Sequence, residues 1–549
     1  MTNNAFFNIS KQIANEYLQS IIFIDDEVYA PQTDQYHRLS QEEITRYFSQ
    51  EEKICAVYNP KSESELAKLK SISKKADIVV LDWNIQLISI ETAEDTNDED
   101  DVEDVDPRGV HTISMIKDIL YDKNGKTNGL KVLVVYTGET GLSEHRDRIF
   151  NAINTFDSNI EKEGDFNIIG NSYKIVVISK ESTSKKHISE ELKARIISYA
   201  DLPEFVLNEF TYLTNGLLSN FALKSLSEIR KNSSKLLSLF SKELDPAYLS
   251  HQSFIPNKED ANDLLVELIK DALGNLLSYN EINKIIDNEL VNEWLNATII
   301  DEGKSILNSK GKELNPLVTY DRNIEFLQEL LNSTETRVDR RYETAFKKKI
   351  TDKSIRDEYL KFLLKNNTSL FLNNSQKDLE EEINLKFAKL THHKSLYISN
   401  GIEPKLTLGT VLRSTKNKDN FYLCIQQKCD SVRLYGLERK FLFIPLNISN
   451  IGKFQLVTSE NVKLSIDKKS FSIRTIKFNG HESDGVVKGV LQADGSFLFT
   501  QKYTEEEDEQ FKWELDLKDL HAQRIVDEYA SQLSRVGLDE SEWLRRWSN

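Results

Sequence analysis

DIVVLD (77–82) is the stretch on which the reading of this chain turns, an apolar run bounded at both ends by aspartate. Four further runs have a similar make-up: IIFID (21–25), ICAVY (54–58), KVLVVYT (131–137) and KIVVIS (174–179). Most are near-continuous apolar runs rather than alternating ones, as expected of parallel strands buried on both faces. Between them lie helical patterns such as ESELAKLKSISKKA (63–76), with apolar residues three and four apart.

Strands alternating with helices predict a parallel α/β sheet over residues 1–200, of the flavodoxin-like doubly wound kind. In such a sheet ligands bind beyond the C-terminal ends of the strands. Residues 201–400 read as a helical region. LPEFVLNEFTYLTNGLLSNFALKSLSEIRKNSSKLLSLFSKEL (202–244) and ANDLLVELIKDALGNLLS (261–278) carry long amphipathic periodicity. Residues 401–549 change again. TLGTVLRS, NFYLCIQQ, KFLFIPL, FQLVTS, FSIRTIKF, GVVKGVL and GSFLFTQ are short β-like runs, separated by turn signals such as ADGS (493–496). They predict a mostly antiparallel β domain, closed by an amphipathic helix over 517–537. A chain of 549 residues is too long for one core, and three domains fit it.

The chemistry-bearing residues stand at the strand ends. Strand one ends in Asp25 and Asp26, strand three in Asp82, strand four in Thr137 and strand five in Lys180. A doubly wound sheet brings these ends side by side. Three carboxylates packed together repel one another, which raises their pKa values unless a cation sits among them. Mg²⁺ suits such a place, because it seeks oxygen and takes only one or two carboxylates while keeping water. A carboxylate so placed is a nucleophile toward a phosphoryl group, with a hydroxyl and an ammonium at hand for its oxygens.

IIFIDDE, VVLDW, VVYTG and VVISK together resemble the response-regulator receiver family over roughly residues 15–200. The resemblance implies that Asp82 is the phosphoacceptor and that Asp26 and Asp82 ligate Mg²⁺ directly. It implies that Asp25 acts through a metal-bound water and that the backbone carbonyl of Asn84 completes the metal site. Thr137 and Lys180 would contact phosphoryl oxygens, and Gly138 would leave the phosphate approachable. A sensor histidine kinase is the implied partner. The chain departs from the family's pattern in three places. Glu181 replaces the proline usual after the lysine, and Val177 stands where an aromatic switch residue is expected. A long acidic insertion also separates Asp82 from Pro107 and Gly109. In that insertion, ETAEDTNDEDDVEDVDPRG (91–109), ten of the first sixteen residues are acidic. It reads as a solvated loop.

Other motifs are weaker. Gly303, Lys304 and Ser305 imitate the end of a phosphate-binding loop, but Thr298 stands where its first glycine should be. Cys424 and Cys429 have no second Cys or His pair at matching spacing nearby, although His392 and His393 precede them. A buried structural role is the expectation for both cysteines. A catalytic Cys429 with Asp430 and Arg433 would lack a general base. Trp543 and Trp547 read as helix packing. The net charge of −17 argues against broad nucleic-acid binding. No transmembrane span and no signal-peptide pattern stands out, so the cytoplasm is the expected location.

The receiver followed by NEFTYLTNGLLSNFALKSLSEIRKNSSKLL, then by LGTVL, YLCIQQKCDSVRL and FLFIPL, and the closing LKDLHAQRIVDEYASQLSRVGLDESEWLRR, resembles the large receiver protein of bacterial Detocs-type anti-phage two-component systems. That resemblance implies a phosphate sink acting beside a kinase and a sister receiver-effector, with no output enzyme of its own. Two other readings stay open: a receiver-gated effector whose C-terminal domain carries an output, and a DNA-binding regulator. The latter needs a basic recognition helix that the acidic C-terminal helices do not offer. The long amphipathic helices make self-association a further expectation.

Overall fold

The computed structural model describes residues 4–28, 40–87, 108–122, 125, 127–181, 190–256, 258–306, 308–309, 312–313, 319–345, 353, 357, 368–394, 403–449, 454–466, 472–501 and 509–533. The chain divides into two compact units, residues 1–298 and 299–549. The acidic insertion up to Pro107 and the Trp543–Trp547 pair lie outside the described residues. Among the described residues no helix is long and apolar enough to cross a membrane.

The first unit is built on a sheet whose central strands are β1 (Ser20–Ile24), β2 (Ile54–Tyr58), β3 (Ile78–Leu81), β4 (Lys131–Thr137) and β7 (Tyr173–Lys180). They pair in the parallel order β2-β1-β3-β4-β7, the doubly wound arrangement expected from the sequence. Past β7 the sheet gains pieces the sequence reading did not foresee. A hairpin of β5 (Glu161–Glu163) and β6 (Asn167–Ile169) adds antiparallel, and β8 (Ile196–Ile197) pairs parallel with Ser179 and Lys180.

Successive side chains of a strand point to opposite faces, so each apolar run feeds two cores. Ile22, Ile24, Val79, Leu81, Leu133 and Val135 face α3 (Glu63–Ser73), α4 (Val110–Leu120) and α5 (Leu142–Asn154). Ile21, Phe23, Ile78, Val80, Val132 and Val134 face the other way. There they meet α1 (Ala5–Tyr17), α2 (Gln41–Gln50), α7 (Leu202–Thr214) and the start of α8 (Leu217–Ser238); the short α6 (Glu190–Lys193) precedes β8. Helix α1 was not anticipated. Asn4 caps it by accepting from the Phe7 N–H at 2.8 Å, and Phe6, Phe7, Ile13 and Ala14 form its buried side.

The helical region begins as α7 and α8, so the amphipathic stretch 202–244 is divided at Asn215–Gly216. Helix α8 is tied to the parallel sheet by Arg230. Its guanidinium grips the buried Asp77 at 2.9 and 3.2 Å and lies over the Tyr17 ring at 4.2 Å. Then follow α9 (Asp245–Phe254), α10 (Glu259–Tyr279) and α11 (Asn288–Thr298).

The second unit opens with two small antiparallel pairs, so the expected all-α middle region is not helical throughout. β9 (Gly303–Ile306) pairs with β12 (Thr319–Arg322), and β10 (Asn308–Ser309) with β11 (Lys312–Glu313). The Gly303–Lys304–Ser305 triplet therefore lies in a strand, not in a loop leading into a helix. Arg322 is fully buried, ion-paired with Glu302 at 2.9 Å and donating to the carbonyls of Leu370, Ile300 and Leu372. Helices α12 (Ile324–Leu331), α13 (Val338–Ala345) and α14 (Glu380–His392) follow.

The expected antiparallel sheet is present. It comprises β13 (Thr410–Ser414), β14 (Phe421–Cys424), β15 (Glu438–Ile448), β16 (Leu456–Val457), β17 (Lys463–Ile466), β18 (Arg474–Asn479), β19 (Val490–Leu491), β20 (Phe497–Gln501) and β21 (Glu509–Asp516). The order is β16-β17-β15-β14-β13-β21-β20-β19, with β18 also on β15. One core holds the edge-to-face rings of Phe441, Phe478, Phe499, Phe511 and Tyr422. Helix α15 (Asp519–Leu533) closes the unit, with Ala522 and Ile525 in a second core.

Three histidines join α14 and α15 to the sheet. His393 Nε2 lies 2.7 Å from the Val457 carbonyl, and the His392 and His521 rings stack at 4.1 Å. Arg524 can only donate, so His521 Nδ1, 3.0 Å away, is the acceptor, leaving the ring proton on Nε2 toward the Gln455 carbonyl. Burial, with the neighbouring His521, His393 and Arg524, pushes His392 down to about 4. Burial also lowers His393 and His521. The unfolded chain therefore binds protons that the folded unit refuses once the pH falls below the ordinary histidine value, about 6.5. Stability from these groups is present above that value and is lost as the pH falls toward 4. In melts of the full chain, the transition of the second unit should weaken from pH 7 to pH 5, and His392→Gln should shrink that loss. A pH-independent transition would contradict the neutral packing of these rings.

Candidate functional site

The parallel register brings the chemistry-bearing residues level. Ile24 pairs with Leu81, Leu81 with Val135, and Thr137 with Ser179. Asp25, Asp82, Thr137 and Lys180 therefore stand along one edge of the sheet, at the ends of strands buried on both faces. Lys180 is the centre of the group. Its Nζ lies 2.7 Å from Asp25 Oδ2 and 2.7 Å from Asp82 Oδ1, and the side chain is almost wholly buried. The opposite oxygens are held by main-chain donors two residues on. Glu27 N–H donates to Asp25 Oδ1 and Asn84 N–H to Asp82 Oδ2, each at 2.8 Å. Such charge-assisted bonds are roughly twice as strong as neutral ones, and they fix the plane of each carboxylate.

Asp26 is held differently. Its Oδ2 accepts from Gln86 N–H at 3.0 Å, while Oδ1 is buried with no hydrogen-bond partner among the described residues. Burial pushes Asp25 up to about 6, with Lys180 opposing and Asp82 adding to the rise. Burial likewise pushes Asp26 up to about 6, with the Gln86 N–H opposing and Asp82 adding. Burial alone would depress Lys180, but Asp82 and Asp25 reverse this and hold it firmly as the ammonium. Asp25 and Asp82 thus share one lysine, with a third carboxylate, Asp26, beside them, and the site is short of positive charge.

Those carboxylates are not drawn into a closed cage. Among the described residues no group of three His, Cys, Asp or Glu side chains is arranged around a common metal position. Asp25 and Asp82 are turned toward Lys180 instead. The oxygen-only donor set, the raised carboxylates and the orphaned Asp26 oxygen still fit Mg²⁺, which uses few protein ligands. Asp26, Asp82 and the Asn84 carbonyl are the groups available to hold it. Thr137 is buried, and its hydroxyl accepts from the Glu139 N–H at 3.2 Å. Of the residues named from the sequence, the structure joins Asp25, Asp82 and Lys180 directly, with Asp26 and Thr137 alongside.

Several neighbours were not foreseen. Thr112, in the first turn of α4, donates to the Asp82 carbonyl at 2.7 Å and the Trp83 carbonyl at 3.0 Å. Asn59 donates to the Asp26 carbonyl at 2.9 Å. Trp83, next to Asp82, is fully buried and stacks on His145 with ring centres 4.3 Å apart, under the Arg148 guanidinium at 5.0 Å. Glu139 lies 3.2 Å from His145 Nε2 and 3.6 Å from Arg108. The end of the acidic insertion is thereby fastened to the strand that carries Thr137.

The cysteines divide. Cys424 is wholly buried in β14, and burial pushes its thiol up to about 12, as suits an inert core residue. Cys429 is exposed, which corrects the expectation that both are buried. The chain leaves the sheet after Cys424 and enters a short surface turn, Lys428–Asp430, so the apolar run does not extend that far. Asp430 accepts from Gln426 Nε2 at 3.1 Å and lies 3.7 Å from Arg439.

Gly109 caps α4 at φ 79°, and a Cβ there would sit 2.4 Å from Trp83 Cζ2. Gly109→Ala should therefore lower stability by about 2–4 kcal/mol, combining left-handed strain with overpacking. Gly125, at φ 73° with nothing within 4 Å of its virtual Cβ, isolates the backbone component. In urea unfolding of the full chain, Gly109→Ala should cost clearly more than Gly125→Ala. Equal losses would mean that the Trp83 contact carries no weight.

The comparisons with known proteins agree with this geometry. Residues 17–185 match the family model described as response receiver domain. No curated protein and no solved structure matches the chain. The matched span runs from the end of α1 to just past Lys180 and holds every strand-end residue of the site, and this part of the chain is a receiver domain of the response-regulator type.

Proposed function

We propose that Asp82 accepts a phosphoryl group from a histidine kinase or a small phosphodonor, with Mg²⁺ held by Asp26, Asp82 and the Asn84 carbonyl. The observation that carries this reading is Lys180 bonded at once to Asp25 and Asp82 beside a buried, unpartnered Asp26 oxygen. In the transfer, an Asp82 carboxylate oxygen attacks phosphorus and the bond from phosphorus to the donor's leaving group breaks. An acyl phosphate forms on Asp82, and the bonding electrons depart with the leaving group. Lys180 remains charged throughout and turns from a carboxylate partner into a partner of the new phosphoryl oxygens. The Thr137 hydroxyl supplies a second donor at the neighbouring strand end. The bound metal supplies charge neutralisation for the oxygens of the transferring group.

At the level of the whole chain, the reading is a phosphate-diverting component of a two-component system in anti-phage defence. It would compete with a sister receiver-effector for one kinase and would have no catalytic output of its own. The resemblance to the Detocs-type receiver protein supports it, and so does Val177. That residue is fully buried in the β-sheet core, where an aromatic switch would need room to swing. A receiver-gated output from the C-terminal β unit is the competing reading, with the exposed Cys429 turn as the first place to look.

With a small acyl-phosphate donor and Mg²⁺, intact-mass analysis should show one phosphoryl adduct. It should vanish in Asp82→Asn and on chelation of the metal, and Asp26→Asn should raise the Mg²⁺ requirement by at least about tenfold. An adduct that persists in Asp82→Asn would overturn the assignment. In cells, Asp82→Ala should make an active kinase–effector pair harmful without infection. Loss of the response in that variant would mark the protein as an output component.

A further inference from the structure

The arm formed by the end of α8, α9 and α10 has almost no core. Between Ser227 and Ile282, Ala261 has the only fully buried side chain among the described residues. Helix α10 packs on α8 and α9, yet ten large apolar residues between 237 and 279 are exposed, from 41% at Leu264 to 86% at Phe254 and Tyr279. Helices in proteins draw most of their stability from packing an apolar face, so this arm is incomplete alone. Phe254 and Tyr279 by themselves offer about 300 Å² of apolar surface. The ten residues together offer on the order of 1,000 Å² spread over the arm's helices, against the roughly 800 Å² per partner of a stable interface.

The charge pattern names the occupant. Residues 230–242 carry Arg230, Lys231, Lys235 and Lys242 and no acid; Arg230 and Lys231 are engaged by Asp77 and Glu16 of the same chain, so Lys235 and Lys242 are the basic charges the arm presents. Residues 259–271 carry Glu259, Asp260, Asp263, Glu267 and Asp271 against one lysine. A surface with one basic and one acidic helix is complementary to itself under a two-fold axis, since each sign meets the other in the partner. We infer that the arm is a dimerisation element and that its partner is the arm of a second copy of this chain. The basic end of α8 pairs with the acidic α10 of the other protomer around a shared apolar core. This inference is independent of phosphoryl transfer and goes beyond the site.

Sedimentation equilibrium of the unphosphorylated full chain, over a concentration series from sub-micromolar upward, should show a monomer–dimer equilibrium. Phe254→Asp and Leu264→Asp alter exposed positions, so the protomer should keep its circular dichroism while dimerisation weakens by about thirtyfold. Two charge-reversed chains give a direct reading of the pairing. Lys235→Glu with Lys242→Glu removes the basic character of the end of α8 and the turn after it, and Asp263→Lys with Glu267→Lys removes the acidic character of α10. Each should self-associate poorly, and their mixture should form heterodimers more tightly than either alone. A wild-type chain that stays monomeric, aspartate variants that dimerise unchanged, or a mixture no tighter than its components would each overturn the inference.

Discussion

Lys180 sits where two aspartates from different strands need the same positive charge, and much of the receiver's architecture serves to keep it there. Its ammonium reaches across from the last residue of β7 to Asp25 and Asp82, which follow β1 and β3. That reach requires β3 and β4 to lie between them in register. It also requires both faces of the sheet to be sealed, so that water does not satisfy the charges instead. A buried lysine without its carboxylates would tend to lose its proton, and buried carboxylates without the lysine would tend to gain one. The Lys180 ammonium and the two carboxylates bonded to it stand together at the C-terminal end of the sheet. Asp26 adds a further acid that the lysine does not reach. The deficit of positive charge is thus a property of the geometry itself.

The same physical facts explain what could be read in the sequence. A strand buried on both faces must be apolar along its length, so β1, β3, β4 and β7 announce themselves as runs, and a charged residue ending such a run is conspicuous. The site was legible for that reason. The edge pieces were not: β5 reads Glu-Lys-Glu, and β8 is two residues long, too little for any alternation to appear. Helix α1 owes its place to the opposite sheet face, which no local pattern reveals. The locking of Trp83 by Gly109 and His145 joins residues far apart in the chain. The adjacency of Trp83 to Asp82 was the only local hint of it. Cys429 was misjudged because, with no Cys or His pair at metal-ligand spacing, both cysteines were read alike as buried structural residues, whereas the strand stops at Cys424 and Cys429 stands in an exposed turn.

The departures from the usual receiver pattern also have structural counterparts. Val177 faces the core shared with α4 and α5, where a branched aliphatic side chain fits a fixed packing rather than two alternative ones. Contacts that could transmit a change at Asp82 lie elsewhere. Thr112 bonds its carbonyl, Trp83 is wedged against the start of α4, and Glu139 bridges toward His145 and Arg108. These contacts converge on Arg108 and Gly109, where the chain emerges from the acidic insertion.

Strand β3 links the site to the helical arm. At its C-terminal end stands Asp82. At its N-terminal end stands Asp77, buried, accepting from the Gln19 and Ser20 N–H groups at 3.0 and 3.1 Å and from Arg230 on α8. The two aspartates are five residues apart along a strand that rises about 3.3 Å per residue, so roughly 16 Å of rigid backbone separates them. Ile78–Leu81 between them are fully buried and paired on both sides. A strand so confined cannot slide without breaking two ladders, which makes it a strut rather than a lever. The arm is therefore joined to the end of the sheet that carries Asp82 through a strand paired on both sides. Its attachment through Arg230, Tyr17 and Glu16 anchors it to α1 and the sheet and leaves its far end free of them.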